Sequence, residues 1–167
     1  MDYEINQKIS VMEEFKIQAQ VLMPVLNAVR AELGKDRANQ LVIDALRAWS
    51  RERFVRLGAQ ISGSPKEKYD TVWAMNAPRI LANDLEIETL KSQPEEQEFN
   101  VTRCRYAEFV HQLGEPDLGA VLLCEPDFQL VEEVGSPEVE LTRTQTLMKG
   151  GCCCDFRFKI QSSATPE

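Results

Sequence analysis

From Ile5 to Ile61 apolar residues recur every three or four positions. Ile9, Met12, Phe15, Ala19, Leu22, Val25, Leu26 and Val29 form one stripe, the pattern of an amphipathic helix. Pro24 lies inside the stripe and predicts a kink or a division. Gly34 reads as the C-terminal stop. Asp36 is then placed to cap a second helix running through Leu41, Val42, Ala45, Leu46, Trp49, Phe54, Val55 and Leu57. Residues 62–70, rich in Gly, Ser, Pro and Lys, read as a loop. Residues 71–81 read as a short helix broken near Pro78.

After Asn83 the period changes. Residues 85–91 (LEIETLK) and 98–104 (EFNVTRC) alternate apolar and polar positions around the turn SQPEEQ, which predicts a hairpin of half-buried strands. The acidic turn residues Glu95, Glu96 and Glu98 are most simply solvated. Residues 105–114 return to helix, with Tyr106, Phe109, Val110 and Leu113 on one face and Gly114 as the stop. That stripe leaves His111 at the surface. Further helical pieces start at Pro116 and Pro126 and end at Gly135-Ser136. Two more strands, 138–148 and 152–160, flank Lys149-Gly150-Gly151, whose glycines suit a tight hairpin. The expected fold class is α+β: one domain over residues 1–167, with a helical half (about 5–82), a sheet-containing half (about 84–160) and a frayed tail (161–167). The N-terminal helices pack on an antiparallel sheet of about four strands, and helices are inserted between the two hairpins.

Composition narrows the function. The chain has 167 residues with 19 Lys+Arg against 27 Asp+Glu, a formal charge of −8. That balance argues against nucleic-acid binding, which needs a cationic surplus. One His rules out a multi-histidine metal site. The N-terminus has no secretory pattern and no run approaches a membrane span. The expectation is therefore a cytoplasmic protein with reduced thiols and no membrane partner. Of the five Cys, Cys104 and Cys124 read as packing, while Cys152, Cys153 and Cys154 are consecutive. Zinc sites favour spacings such as C-x₂-C, so neither a metal nor another cofactor is expected.

Strand alternation places Cys152, Cys154, Phe156 and Phe158 on the face under the helices. Cys153, Asp155, Arg157 and Lys159 fall on the other. A two-residue Gly150-Gly151 turn pairs Leu147 with Cys154 and Gln145 with Phe156, so Arg143 and Gln145 enter the apolar layer beside Cys154. A three-residue turn brings the threonines, Thr144 among them, there instead. A buried Arg calls for a carboxylate, either a substrate's or a helix residue's such as Glu108. A guanidinium, an amide and a thiol in one apolar pocket suit a small acid with a reactive carbon.

The segments CRYAEFVHQLGEPDLGAVLLCEPDF (104–128) and LTRTQTLMKGGCCCDFRF (141–158) resemble the L-2-amino-thiazoline-4-carboxylic acid hydrolase family. The resemblance is close over about residues 100–159 and only patterned before that. It implies hydrolysis of a non-peptide C–N bond in a small cyclic amidine bearing a carboxylate, as the family's named member opens such a ring. It also implies a catalytic group of Cys154 as nucleophile with Asp155 and Cys153. The implied substrate-binding set is Arg143, Gln145, Thr144, Tyr106 and Arg157. One departure stands out: a His usually precedes the family's Cys-Asp-Phe, and here that position is Cys153. If that His is a base or metal ligand, a thiol has replaced its chemistry. The alternative is a non-catalytic small-molecule binding or sensing domain, since the Cys-x-Phe strand also resembles, more distantly, vinyl-reductase-four-like domains. The expected partner is a small carboxylate-bearing molecule, and the pattern leaves the oligomeric state open, homo-oligomers included.

Overall fold

The computed structural model describes residues 9–161. The predicted helical start at residues 5–8 and most of the frayed tail lie outside the described residues. Three long helices come first: α1 (Val11–Leu33), α2 (Lys35–Gln60) and α3 (Pro65–Leu81). Ser10 caps α1 through the Glu13 amide. Pro24 does not divide α1. Its ring and the carbonyl it deprives of a partner, on Gln20, both fall at exposed positions, where water replaces the missing bond. Gly34 stops α1 as expected, at φ 79°. The same glycine, and not Asp36, opens α2; Asp36 sits in its first turn.

The largest correction in this half concerns residues 62–81. Pro65 is the first residue of a full-length helix, and Ser64 and Glu67 form a reciprocal capping box. Pro, Lys and Ser there mark a helix start, not a loop. Pro78 lies within α3 without breaking it, again at an exposed position.

The sheet has four antiparallel strands in the order β1-β2-β4-β3: β1 (Leu85–Ser92), β2 (Glu96–Cys104), β3 (Val139–Thr142) and β4 (Cys154–Ile160). Between the hairpins lie α4 (Arg105–Leu113), α5 (Pro116–Gly119) and α6 (Glu125–Leu130), with π-helical turns at Ala120–Cys124 and Val131–Gly135. The α+β expectation holds. β2 pairs with β4 through Phe99↔Phe156 and Val101↔Cys154, so one face carries Phe99, Val101, Cys154, Phe156 and Phe158. The three Phe rings stack at 4.9–6.2 Å, and Tyr69 of α3 covers Phe158. The opposite face carries Glu98, Asn100, Asp155, Arg157 and Lys159, as the alternation predicts.

The second hairpin differs from expectation. β3 ends at Thr142, opposite Arg157, and residues 143–153 form a broad loop with a 3₁₀ turn at Leu147–Lys149. Leu141 opposes Phe158, two places from the register a tight turn imposes. A shift of two preserves the faces, so the side assignment of Arg143 survives while the turn does not. The loop is held by packing: Met148 is 1% exposed and joins Phe15, Ala107, Val110 and Ala120 in a core cluster.

Candidate functional site

Arg143 is the centre of the site. It leaves the end of β3 on the covered face, and its side chain is only 4% exposed. Nη1 donates to Asp127 Oδ2 at 2.7 Å and Nη2 to the Cys124 carbonyl at 2.8 Å. The guanidinium lies 4.8 Å from the ring centroids of both Phe128 and Phe156, a stacked cation desolvated by two aromatic faces. Its Nε is buried with no hydrogen-bond partner. The carboxylate partner is Asp127, not Glu108, which instead pairs with Arg103 at the surface.

Cys154 begins β4 beside this pair and is 7% exposed. Its Sγ accepts a hydrogen bond from the Leu147 amide at 3.3 Å. Burial pushes the thiol up from its ordinary value, while that amide and the Arg143 charge pull it back. Cys104 and Cys124 sit close enough to sense Cys154 electrostatically. Burial raises Cys104 to about 11 and Cys124 to about 12. All three are therefore thiols, not thiolates, at neutral pH. Cys104 caps α4 through the Ala107 amide. Among the described residues no cluster of three or more His, Cys, Asp or Glu is arranged to hold a metal.

Asp127 was invisible to the strand-based reading. The signal available was Pro126, which at the start of α6 places the next carboxylate in the first turn. Burial pushes Asp127 up to about 6 against the pull of Arg143. Its side chain keeps 32% exposure, so solvent softens that push. A groove of about 500 Å³ between α2 and α6, lined by Arg47, Arg51, Glu125, Phe128, Gln129 and Glu132, reaches the site at the Phe128 ring.

The other predicted residues build the scaffold. Asp155 accepts from the Thr144 amide at 2.9 Å, the Thr144 hydroxyl at 2.6 Å and the Gln145 amide at 2.8 Å. Burial opposes its charge, but these donors outweigh burial and hold its carboxyl below the usual value. Gln145 Oε1 accepts from the Cys152 amide at 3.2 Å. Arg157, on the opposite face, binds the Phe99 and Phe156 carbonyls and Asn100 Oδ1. Tyr106 is buried, with its hydroxyl donating to the Ile80 carbonyl at 2.9 Å. Cys153 is buried in the loop before β4, next to the exposed Cys152. His111 is exposed, with Nε2 3.3 Å from the Leu147 carbonyl. The structure thus brings Cys154 and Arg143 together and adds Asp127, while Asp155, Thr144 and Gln145 fasten the loop that carries Arg143.

A helical layer over a four-stranded antiparallel sheet, with a buried cation and a strand-end thiol on the covered face, defines an α+β domain with its polar site under the helices. The sequence profile of the L-2-amino-thiazoline-4-carboxylic acid hydrolases matches residues 14–158, and the chain belongs to that family. No curated protein matches the chain. Among solved structures, a trafficking protein particle complex subunit 3 from Naegleria fowleri, covalently bound to palmitic acid, is 14% identical with a TM-score of 0.40. That match covers 88% of this chain and 97% of the other, an overlap too loose to carry a functional argument.

Proposed function

We propose that this hydrolase-family chain opens a C–N bond in a small cyclic amidine bearing a carboxylate, with Cys154 as nucleophile and Arg143 as the carboxylate anchor. The observation that carries the reading is the buried, unpartnered Nε of Arg143 beside the Cys154 thiol. Nη1 already holds a carboxylate, that of Asp127, while Nη2 holds the Cys124 carbonyl, so the guanidinium is chemically suited to an acid. A substrate carboxylate entering past Phe128 displaces Asp127 from Arg143. The released Asp127, no longer held down by the Arg143 charge and hydrogen bond, then accepts the Cys154 proton. The thiolate attacks the amidine carbon, and the Leu147 amide that stabilises it is already in place. The ring C–N bond then breaks, its nitrogen leaving as an amine with the proton Asp127 took from Cys154. Water adds to the thio-intermediate, the C–S bond breaks, and a proton from that water restores the Cys154 thiol.

The test compares 2-amino-thiazoline rings with and without the 4-carboxylate. The reading expects turnover only of the acid, or a KM at least about a hundredfold lower for it, in line with loss of a buried charge pair. Equal turnover of both rings, or turnover of neither, overturns it. A second reading, a binding domain without catalysis, is favoured by the upward push on Cys154 and by Cys153 standing where the family usually has His. Binding of the acid without any chemical change would establish that reading instead.

A further inference from the structure

Among the described residues two buried side-chain polar atoms lack a hydrogen-bond partner, Arg143 Nε and Gln129 Oε1. One is a donor and the other an acceptor, and Phe128 adjoins both residues. Its ring stacks on the Arg143 guanidinium, and with Gln129 it lines the groove between α2 and α6. The hydrolase site uses the first atom and leaves the second idle. Gln129 is 8% exposed. Its Nε2 donates to the Arg47 carbonyl of α2 at 3.5 Å, so the side chain reaches from one wall of the groove to the other. That bond sets the amide's orientation, since a flipped amide would place oxygen against oxygen. The charged lining residues are already matched. Arg47 forks onto Glu125 with both bonds at 2.7 Å, and Arg51 reaches Glu132 at 2.9 Å. An unpaired buried acceptor is costly, and a donor on a ligand relieves that cost.

We propose that Gln129 determines specificity: its Oε1 accepts a hydrogen bond from an N–H of the substrate's amidine. The assignment rests on the hydrolase reading and adds the direction in which the substrate lies. A carboxylate at Gln129 Oε1 would set lone pairs against lone pairs, and an N–H at Arg143 Nε would set donor against donor. The acid end therefore goes to Arg143 and the amidine end to Gln129, with Phe128 against the ring between them. A carboxylic acid without that N–H satisfies only one of the two atoms. The Gln129 acceptor then stays unpaired, which is how a site built around a hydrogen bond rejects an analogue that lacks it.

The experiment is titration calorimetry on the full chain carrying Cys154→Ser, so that binding is read apart from turnover. The probes are 2-amino-thiazoline-4-carboxylic acid and 2-methyl-thiazoline-4-carboxylic acid, whose methyl group matches the amino group in size but donates nothing. The amino ring should bind at least roughly tenfold more tightly. Gln129→Met keeps the side chain's length and removes its amide oxygen, and there the preference should fall at least roughly tenfold. Gln129→Glu, which retains an acceptor, should keep it. A residue that only shaped the groove would weaken both rings alike. Equal binding of the two rings, binding of neither, or a preference unchanged in Gln129→Met overturns the assignment. Turnover of the acid by the parent chain without a preference set by Gln129 sinks this assignment and leaves the hydrolase reading standing. A Gln129-dependent preference in a chain that turns nothing over does the reverse.

Discussion

At Asp155 one carboxylate closes the loop that carries the site. Three donors from Thr144 and Gln145 converge on it, and charge-assisted bonds of this kind are worth about 1.5–3 kcal/mol each in mutational series. Because they overlap, Asp155→Ala should cost about 2–3 kcal/mol in urea unfolding at pH 7. The folded carboxyl lies below its unfolded value. Its contribution is therefore present above about pH 4 and lost as pH falls through the folded value, so the variant's deficit should shrink in acid. Asp127 behaves oppositely. Its folded value is raised to about 6, so its contribution is complete below about pH 4 and disappears as pH rises through 6. Thermal melts of wild type and Asp127→Asn should diverge in favour of wild type between pH 7.5 and 4.5. A gap that stays constant, or moves the other way, refutes the assignment. Both residues lie in motifs legible in the sequence, yet only Asp155 was singled out there. Its ties to Thr144 and Gln145 are not legible there, because a strand continuing to Met148 has no loop for it to tie.

Among the elements, α5 and the 3₁₀ turn meet where there is no room for a side chain. A Cβ on Gly119 would stand 2.5 Å from Val110 Cγ1 and 2.9 Å from Met148 Sδ. Gly119→Ala should therefore cost about 1–3 kcal/mol through overpacking, measured by urea unfolding with the slope unchanged. Loss of less than about 0.5 kcal/mol would show that α5 shifts freely against the loop. This contact explains a glycine that the sequence marks only as part of a motif. The hydrophobic stripes of α1 and α4 were readable because burial repeats along them. The capping box of α3 was missed because Ser64-Pro65 looks like a turn when only composition is weighed. The end of β3 was missed for a different reason. The alternation of Thr and apolar residues continues past Thr142, but Met148 gains more by entering the core with Val110 and Ala120 than by extending the ladder.

At the scale of the whole molecule, the covered face of the sheet holds a charge at its centre. Arg143 sits among Phe128, Phe156 and the Cys154 thiol, and a buried ion pair is weak grounds for stability alone. That cost makes sense if the site handles a charged small molecule, which family membership supports. Face assignment and family were legible in the sequence; the Asp127 partner was not, because strand alternation does not say which helix carboxylate lies over Arg143. The most direct test of the central claim is turnover of L-2-amino-thiazoline-4-carboxylic acid by Cys154→Ala alongside its melting curve. The account predicts that activity falls by at least roughly a thousandfold, as for loss of other nucleophiles, while the melting temperature moves by only a few degrees. Full activity in a folded Cys154→Ala protein, or a loss of activity that merely follows unfolding, would contradict it.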